Sequence, residues 1–233
     1  MKIYLYIVSL LMIATISGCV SINSLQSGRT IDKGNLEIAG SLTSGEFTPN
    51  SPSLKEAIDY VQYDYVPVFE ATAKYGLCEN FDLALKLNTA GFVMGQVKYQ
   101  FLGNKKTLFA GSVGADFGAF PVWSMFGVVN TNISVPLYLS FHPKDDVCLY
   151  LTPRYSYSSL NYFDQDNDSL NGTSEYLSYG AFSYGLIIGK KNKLMIEVTH
   201  SQNNGFKPTQ VAIGFSSTFD MKNKKWYKNI FGE

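Results

Sequence analysis

The 233-residue sequence carries 19 basic and 19 acidic side chains, and a formal net charge of zero leaves no electrostatic footprint for a nucleic-acid partner. Charged residues make up 16% of the chain, below the ~25% typical of soluble domains, whereas Phe, Tyr and Trp make up 15%. No run after residue 19 is long and apolar enough to cross a bilayer as a helix, so a closed β-barrel is the remaining way to span a membrane.

Residues 1–18 have the plan of a secretory signal peptide. Lys2 precedes an apolar run over 3–16, which is too short to span a membrane and is followed by small residues. The ending Ile16-Ser17-Gly18-Cys19 resembles the bacterial lipobox, and that resemblance implies cleavage before Cys19 and acylation of its sulfur. Ordinary cleavage near Ser17 and Gly18, leaving Cys19 as a plain thiol, is the alternative. Residues 19–33 are then a lipid-anchored N-terminal linker.

From residue 34 to 219 the chain divides into alternating segments bounded by Gly, Asn, Pro, Asp and Lys clusters. The predicted strands are 34–46, 64–77, 81–89, 92–102, 107–120, 130–142, 146–160, 176–189, 193–201 and 207–219. Four connections are tight and polar, at 78–80, 103–106, 143–146 and 190–192. Longer ones fall at 47–63, 121–129, 161–175 and 202–206, and the short break at Ala90 and Gly91 is the exception. Short turns alternating with longer loops, and about ten strands many of which approach the ~9–11 residues that cross a bilayer at a tilt, give an all-β fold. The expected architecture is a closed, antiparallel, up-and-down transmembrane β-barrel. An even strand number returns both ends of the barrel to one side, which suits an N-terminal lipid anchor on the periplasmic side.

The two faces of each strand differ in kind. Ile133, Val135, Leu137, Leu139 and Phe141 oppose Asn132, Ser134, Tyr138 and Ser140, and Phe81, Leu83, Leu85 and Leu87 oppose Asp82, Ala84, Lys86 and Asn88. A soluble lipocalin-like barrel is the rival, but it would need a charged outer face that this chain lacks. Aromatics gather near segment ends, at Tyr60, Tyr63 and Tyr65 and at Tyr155, Tyr157 and Tyr162, as interface girdles do. The stretch 27–40, soon after a lipobox cysteine, resembles the lead-in segment of small outer-membrane barrel lipoproteins. Phe81–Leu87 and Gly95–Phe101 look like paired strands of such barrels. The resemblance implies fold and a bacterial outer-membrane location, with outer-membrane lipids as partners, and assigns no chemistry. Basic, aromatic residues 220–233 form the tail, with Trp226 and Tyr227 expected at the interface.

The inward-facing charges are Glu37, Glu70, Lys74, Asp82, Lys86, Lys98, Asp116, Arg154 and Glu197. Unpaired buried charges are costly, so a lumen filled by paired charges is expected, in a protein with a structural or surface-interaction role. A narrow solute channel with a charged constriction is the alternative. A lipid-modifying hydrolase is the remote third, because residues 199–206 faintly resemble the His-x-Ser-Asn segment of lipid A deacylases. Gln202 stands where the nucleophile would be, and Ser201 points away from its neighbour His200, so no catalytic residue is assigned and the chain is not expected to be an enzyme. His142 and His200 lie at opposite ends. Cys78 and Cys148 lie in separate hairpins and are expected as free thiols.

No cofactor is expected beyond a weak calcium ion. In the window 164–175, Asp164, Asp166, Asp168 and Glu175 occupy positions 1, 3, 5 and 12, which resembles the EF-hand loop. Ser169 stands where that loop has Gly, and strands flank the window. A weak calcium site and a solvated acidic loop tip are both consistent with it.

Overall fold

The computed structural model describes residues 23–46, 67–89, 91–119, 128–162, 174–202 and 209–222. Ten antiparallel strands close into one barrel: β1 (Asn35–Glu46), β2 (Val68–Cys78), β3 (Phe81–Asn88), β4 (Val93–Leu102), β5 (Phe109–Ala119), β6 (Val128–Lys144), β7 (Val147–Tyr162), β8 (Ser174–Ile188), β9 (Asn192–Gln202) and β10 (Thr209–Asp220). Each strand pairs with its sequence neighbours, and β1 closes the circle on β10 from Asn35↔Asp220 to Glu46↔Thr209. Closure leaves no unpaired edge, which is the condition for β-structure in a hydrocarbon environment.

The strand pattern follows the sequence reading to within a few residues, with β6 and β7 longer than expected. Pro143 and Lys144 carry turn chemistry, yet the ladder continues past them through an irregularity, so that Lys144 still pairs with Val147. The hairpin is therefore closed by Asp145 and Asp146 alone. Residues 64–66, expected at the start of β2, lie outside the described residues. In the β4–β5 turn, Gly103 has φ +78°, and a Cβ there would stand 2.2 Å from the Phe109 carbonyl oxygen, so the turn requires glycine.

The barrel is inside-out relative to a soluble protein. Ile38, Phe69, Leu85, Phe109, Phe117, Ile133, Tyr155, Ile213 and Phe215 all point outward and are exposed, Phe215 by 66%. Glu37, Glu70, Lys74, Asp82, Lys86, Lys98, Asp116, Arg154 and Glu197 point inward and are buried. So large an apolar exterior is unlike that of a soluble monomer and matches a lipid-facing wall. Period-two alternation is the cause: placing one residue of each pair against lipid commits its neighbour to the lumen.

Candidate functional site

The inward charges meet in pairs on neighbouring strands. Glu37 and Lys74 are directly opposed in the β1–β2 ladder and lie 3.2 Å apart. Asp82 and Lys98 are opposed across β3–β4 at 3.4 Å, and Lys86 reaches Glu70 at 3.1 Å. Arg154 on β7 approaches Asp116 on β5 at 3.9 Å, over the β6 strand between them. Asp116 also accepts hydrogen bonds from the Gln96 amide at 2.6 Å and the Ser134 hydroxyl at 2.9 Å. A fifth base, Lys193 at the rim, joins Glu37. The sequence reading omits Lys193 because it stands at the start of β9, where the inward face begins.

Glu197 is the acid that these bases leave over, and its partner is the chain itself. Residues 23–31 run inside the barrel as a thread, with Asn23, Ser24, Leu25, Gln26, Gly28 and Thr30 buried, Leu25 at φ +44° and a bend at Gly28 and Arg29. Glu197 receives the Ser24 N–H at 2.7 Å, the Ser24 hydroxyl at 2.8 Å and the Leu25 N–H at 2.7 Å. Tyr150 and Thr199 donate their hydroxyls to the same carboxylate at 2.8 Å and 2.9 Å. A buried carboxylate holding two backbone N–H groups is a charge-assisted clamp on the thread.

The rest of the thread is fixed residue by residue. Asn23 donates to Thr43, while its carbonyl and side-chain oxygens each receive Lys86 Nζ at 3.0 Å. Gln26 bonds to Gln96 and accepts from Lys98 Nζ at 3.2 Å. The Gly28 N–H donates to Ser140 Oγ at 3.0 Å, and the Gly28 carbonyl accepts from Ser112. Thr30 N–H reaches Gln100 at 2.8 Å and Ile31 N–H reaches Asp82 at 3.0 Å. Arg29 donates to the Thr107 carbonyl at 2.6 Å, and Asp32 pairs with Lys105 at the short-turn rim. Gly28 must be small, because a Cβ would lie 2.6 Å from the Ala110 carbonyl oxygen. The linker assignment of residues 19–33 gives no hint of this path.

Beside Asn23, Gln26, Lys86, Gln96 and Arg154 the void measures about 10 Å³, the order of a single water. A vestibule of about 740 Å³ opens at the short-turn rim between Arg29, Lys98, Lys105, His142, Asp145 and Lys190.

The two histidines stand apart. His142 is buried in the lumen, with Nε2 2.9 Å from Ser140 Oγ. That serine already holds the Gly28 N–H. His200 is exposed on the outer wall, with Nδ1 3.0 Å from Thr209 Oγ1, and Ser201 is buried on the opposite face. Cys78 is exposed, Cys148 is buried, and both are free thiols. Asp164, Asp166 and Asp168 of the acidic window lie outside the described residues, as do Cys19 and most of the tail. Glu175 belongs to β8, its backbone opposite Leu160. Among the described residues no group of three or more His, Cys, Asp or Glu converges on a metal position.

No family model matches the chain, and no curated relative matches it in sequence. Solved barrels do. An outer membrane channel from Pseudomonas putida F1 matches with a TM-score of 0.51 at 9% identity, covering 85% of this chain and 100% of that one. The likeness is one of fold. The attachment invasion locus protein Ail of Yersinia pestis matches at 13% identity with a TM-score of 0.36, over 80% of this chain and 99% of Ail. The outer membrane protease OmpT of Escherichia coli matches at 10% identity with a TM-score of 0.44, over 83% and 100%.

Proposed function

We propose that this protein is a bacterial outer-membrane barrel sealed by its own N-terminal segment, with a structural or surface-interaction role. Occupation of the lumen by residues 23–31, bonded to strands around the barrel, carries the reading. The apolar exterior supports residence in a bilayer, and the alternation of short turns with long connections supports the usual orientation, short turns in the periplasm and long connections outside. The pairing of lumen bases with Glu37, Glu70 and Asp82, the clamp of Glu197 on residues 24 and 25, and a void of only about 10 Å³ beside Asn23 and Arg154 support a lumen closed to hydrated solutes above the rim vestibule. The surface-facing connections are then where a partner is met.

Swelling of liposomes carrying the purified protein tests this. Vesicles loaded with an impermeant polymer and diluted into small sugars should swell no faster than protein-free vesicles. Swelling at the rate given by an open porin refutes the sealed lumen and favours the channel.

A further inference from the structure

The vestibule at the short-turn rim carries positive charge that the acids around it do not balance. Eight Lys and Arg side chains line it against five Asp and Glu. Lys74 and Lys193 share Glu37, Lys105 takes Asp32, and Lys190 lies 3.5 Å from Asp145. Among the described residues no carboxylate stands within ion-pair distance of Arg29, Lys106 or Lys191.

Arg29 is the most telling of the three. Gly28 ties the thread to Ser140 and Ser112, which holds the next residue just inside the short-turn rim. The Arg29 Nη2 donates to the Thr107 carbonyl at 2.6 Å, and its Nε is buried without an acceptor. A guanidinium on a merely solvated face would turn that N–H to water. His142 lines the same vestibule. Ser140 occupies its Nε2, and no partner among the described residues takes its Nδ1.

We propose that the vestibule is a binding site for a small, water-borne organic phosphate. The proposal rests on the sealed-lumen reading, because Arg29 belongs to the thread. A phosphate monoester brings about two negative charges and three acceptor oxygens at neutral pH, so it answers an excess of three positive charges more fully than a lone carboxylate does. Arg29 supplies planar donors, and Lys106 and Lys191 supply mobile point charges. A volume of about 740 Å³ lies within the ~300–1,000 Å³ of small-molecule sites. Val147, Cys148, Ile187 and Met195 give the lining an apolar stretch for the body of the ligand. The wall fixes the route of entry. Strand ladders reach the rim at Lys144↔Val147, Ile188↔Leu194 and Asn35↔Asp220, so acyl chains have no gap to enter by. The ligand therefore comes from the water beyond the short turns, and a bilayer phospholipid would have to bend its headgroup over the rim to compete.

Titration calorimetry on the full-length protein in detergent micelles tests the site with glucose 6-phosphate, glucose and dihexanoyl phosphatidic acid. Glucose 6-phosphate should bind and glucose should not. Arg29→Gln and Lys191→Gln should each weaken glucose 6-phosphate about tenfold or more, the loss expected of a charge-assisted hydrogen bond. Lys191 stands in the β8–β9 turn, outside the thread, so its replacement leaves the thread docked. Lys144→Gln removes a basic side chain of the rim that does not line the vestibule, and should leave the affinity unchanged. Equal weakening by all three variants overturns the site in favour of diffuse rim charge. Binding confined to phosphatidic acid overturns the water-borne ligand. Hydrogen-exchange protection at the Leu25 amide, measured on the wild-type sample, separates this proposal from the sealed lumen. Protection without any heat from glucose 6-phosphate overturns the site alone, and absence of protection overturns it together with the sealed lumen.

Discussion

Replacing Glu197 by Gln isolates the clamp on the thread. Volume is kept, but one acceptor oxygen becomes an NH₂ donor. Oε1 now receives the Ser24 N–H and the Thr199 hydroxyl, and Oε2 receives the Leu25 N–H with the Ser24 and Tyr150 hydroxyls. The three hydroxyls can rotate to accept, but a backbone N–H cannot. Whichever way the amide turns, one thread N–H faces an NH₂ group. A buried donor left unsatisfied costs about 1–3 kcal/mol, and the surviving bonds lose their charge assistance. Gln also removes the cost of burying a carboxylate, which offsets part of this loss. The net weakening of thread docking is about 2 kcal/mol, or roughly 30-fold in the docking equilibrium. Hydrogen exchange in detergent micelles reads it: protection at the Ser24 and Leu25 amides should fall by that factor, while Ile196, in the β9 ladder, is unchanged. Loss of less than about threefold at Ser24 and Leu25 would refute the clamp.

Further outcomes follow from the same contacts. Gly28→Val should release the thread, since the added Cβ meets the Ala110 and Tyr138 carbonyl oxygens at 2.6 and 2.9 Å; protection at Ser24 should vanish while the barrel still runs as a heat-modifiable band. Arg154→Ala leaves Asp116 without its buried cation and should destabilise the barrel by about 3–5 kcal/mol, read as a lower temperature for loss of the folded band; an unchanged temperature contradicts the pairing. Ile213→Arg puts a charge on the outward wall and should cost about 2–4 kcal/mol if that position lies near the bilayer midplane, measured by denaturant titration in lipid vesicles, whereas an effect near zero would place it outside the hydrocarbon.

Most of the barrel is legible in the chain because period-two alternation and turn chemistry act locally. Phe81, Leu83, Leu85 and Leu87 against Asp82 and Lys86 fix face and register together, and the tight polar turns fix the neighbours. The β6–β7 hairpin defeats that reading because Pro143 and Lys144 look like a turn, yet the ladder, interrupted after Phe141, resumes at Lys144 opposite Val147. The thread is illegible for a different reason. Residues 23–33 have no periodicity and no apolar face, and their partners are scattered over separate strands, neutral groups such as Gln96, Gln100, Ser112, Ser140 and Thr43 among charged ones such as Glu197, Lys86, Lys98 and Asp82. One signal does exist. Five inward acids face four inward bases, which leaves Glu197 seeking donors. Lys193 hides part of it by supplying a fifth base at the rim.

Planar-bilayer conductance of the wild-type chain beside one lacking residues 23–31 tests the sealed lumen most directly. The wild type should insert without steady current, and the deletion should open a stable, ion-conducting path through the space the thread vacates. A steady pore in the wild type, equal in conductance to that of the deletion, would contradict it.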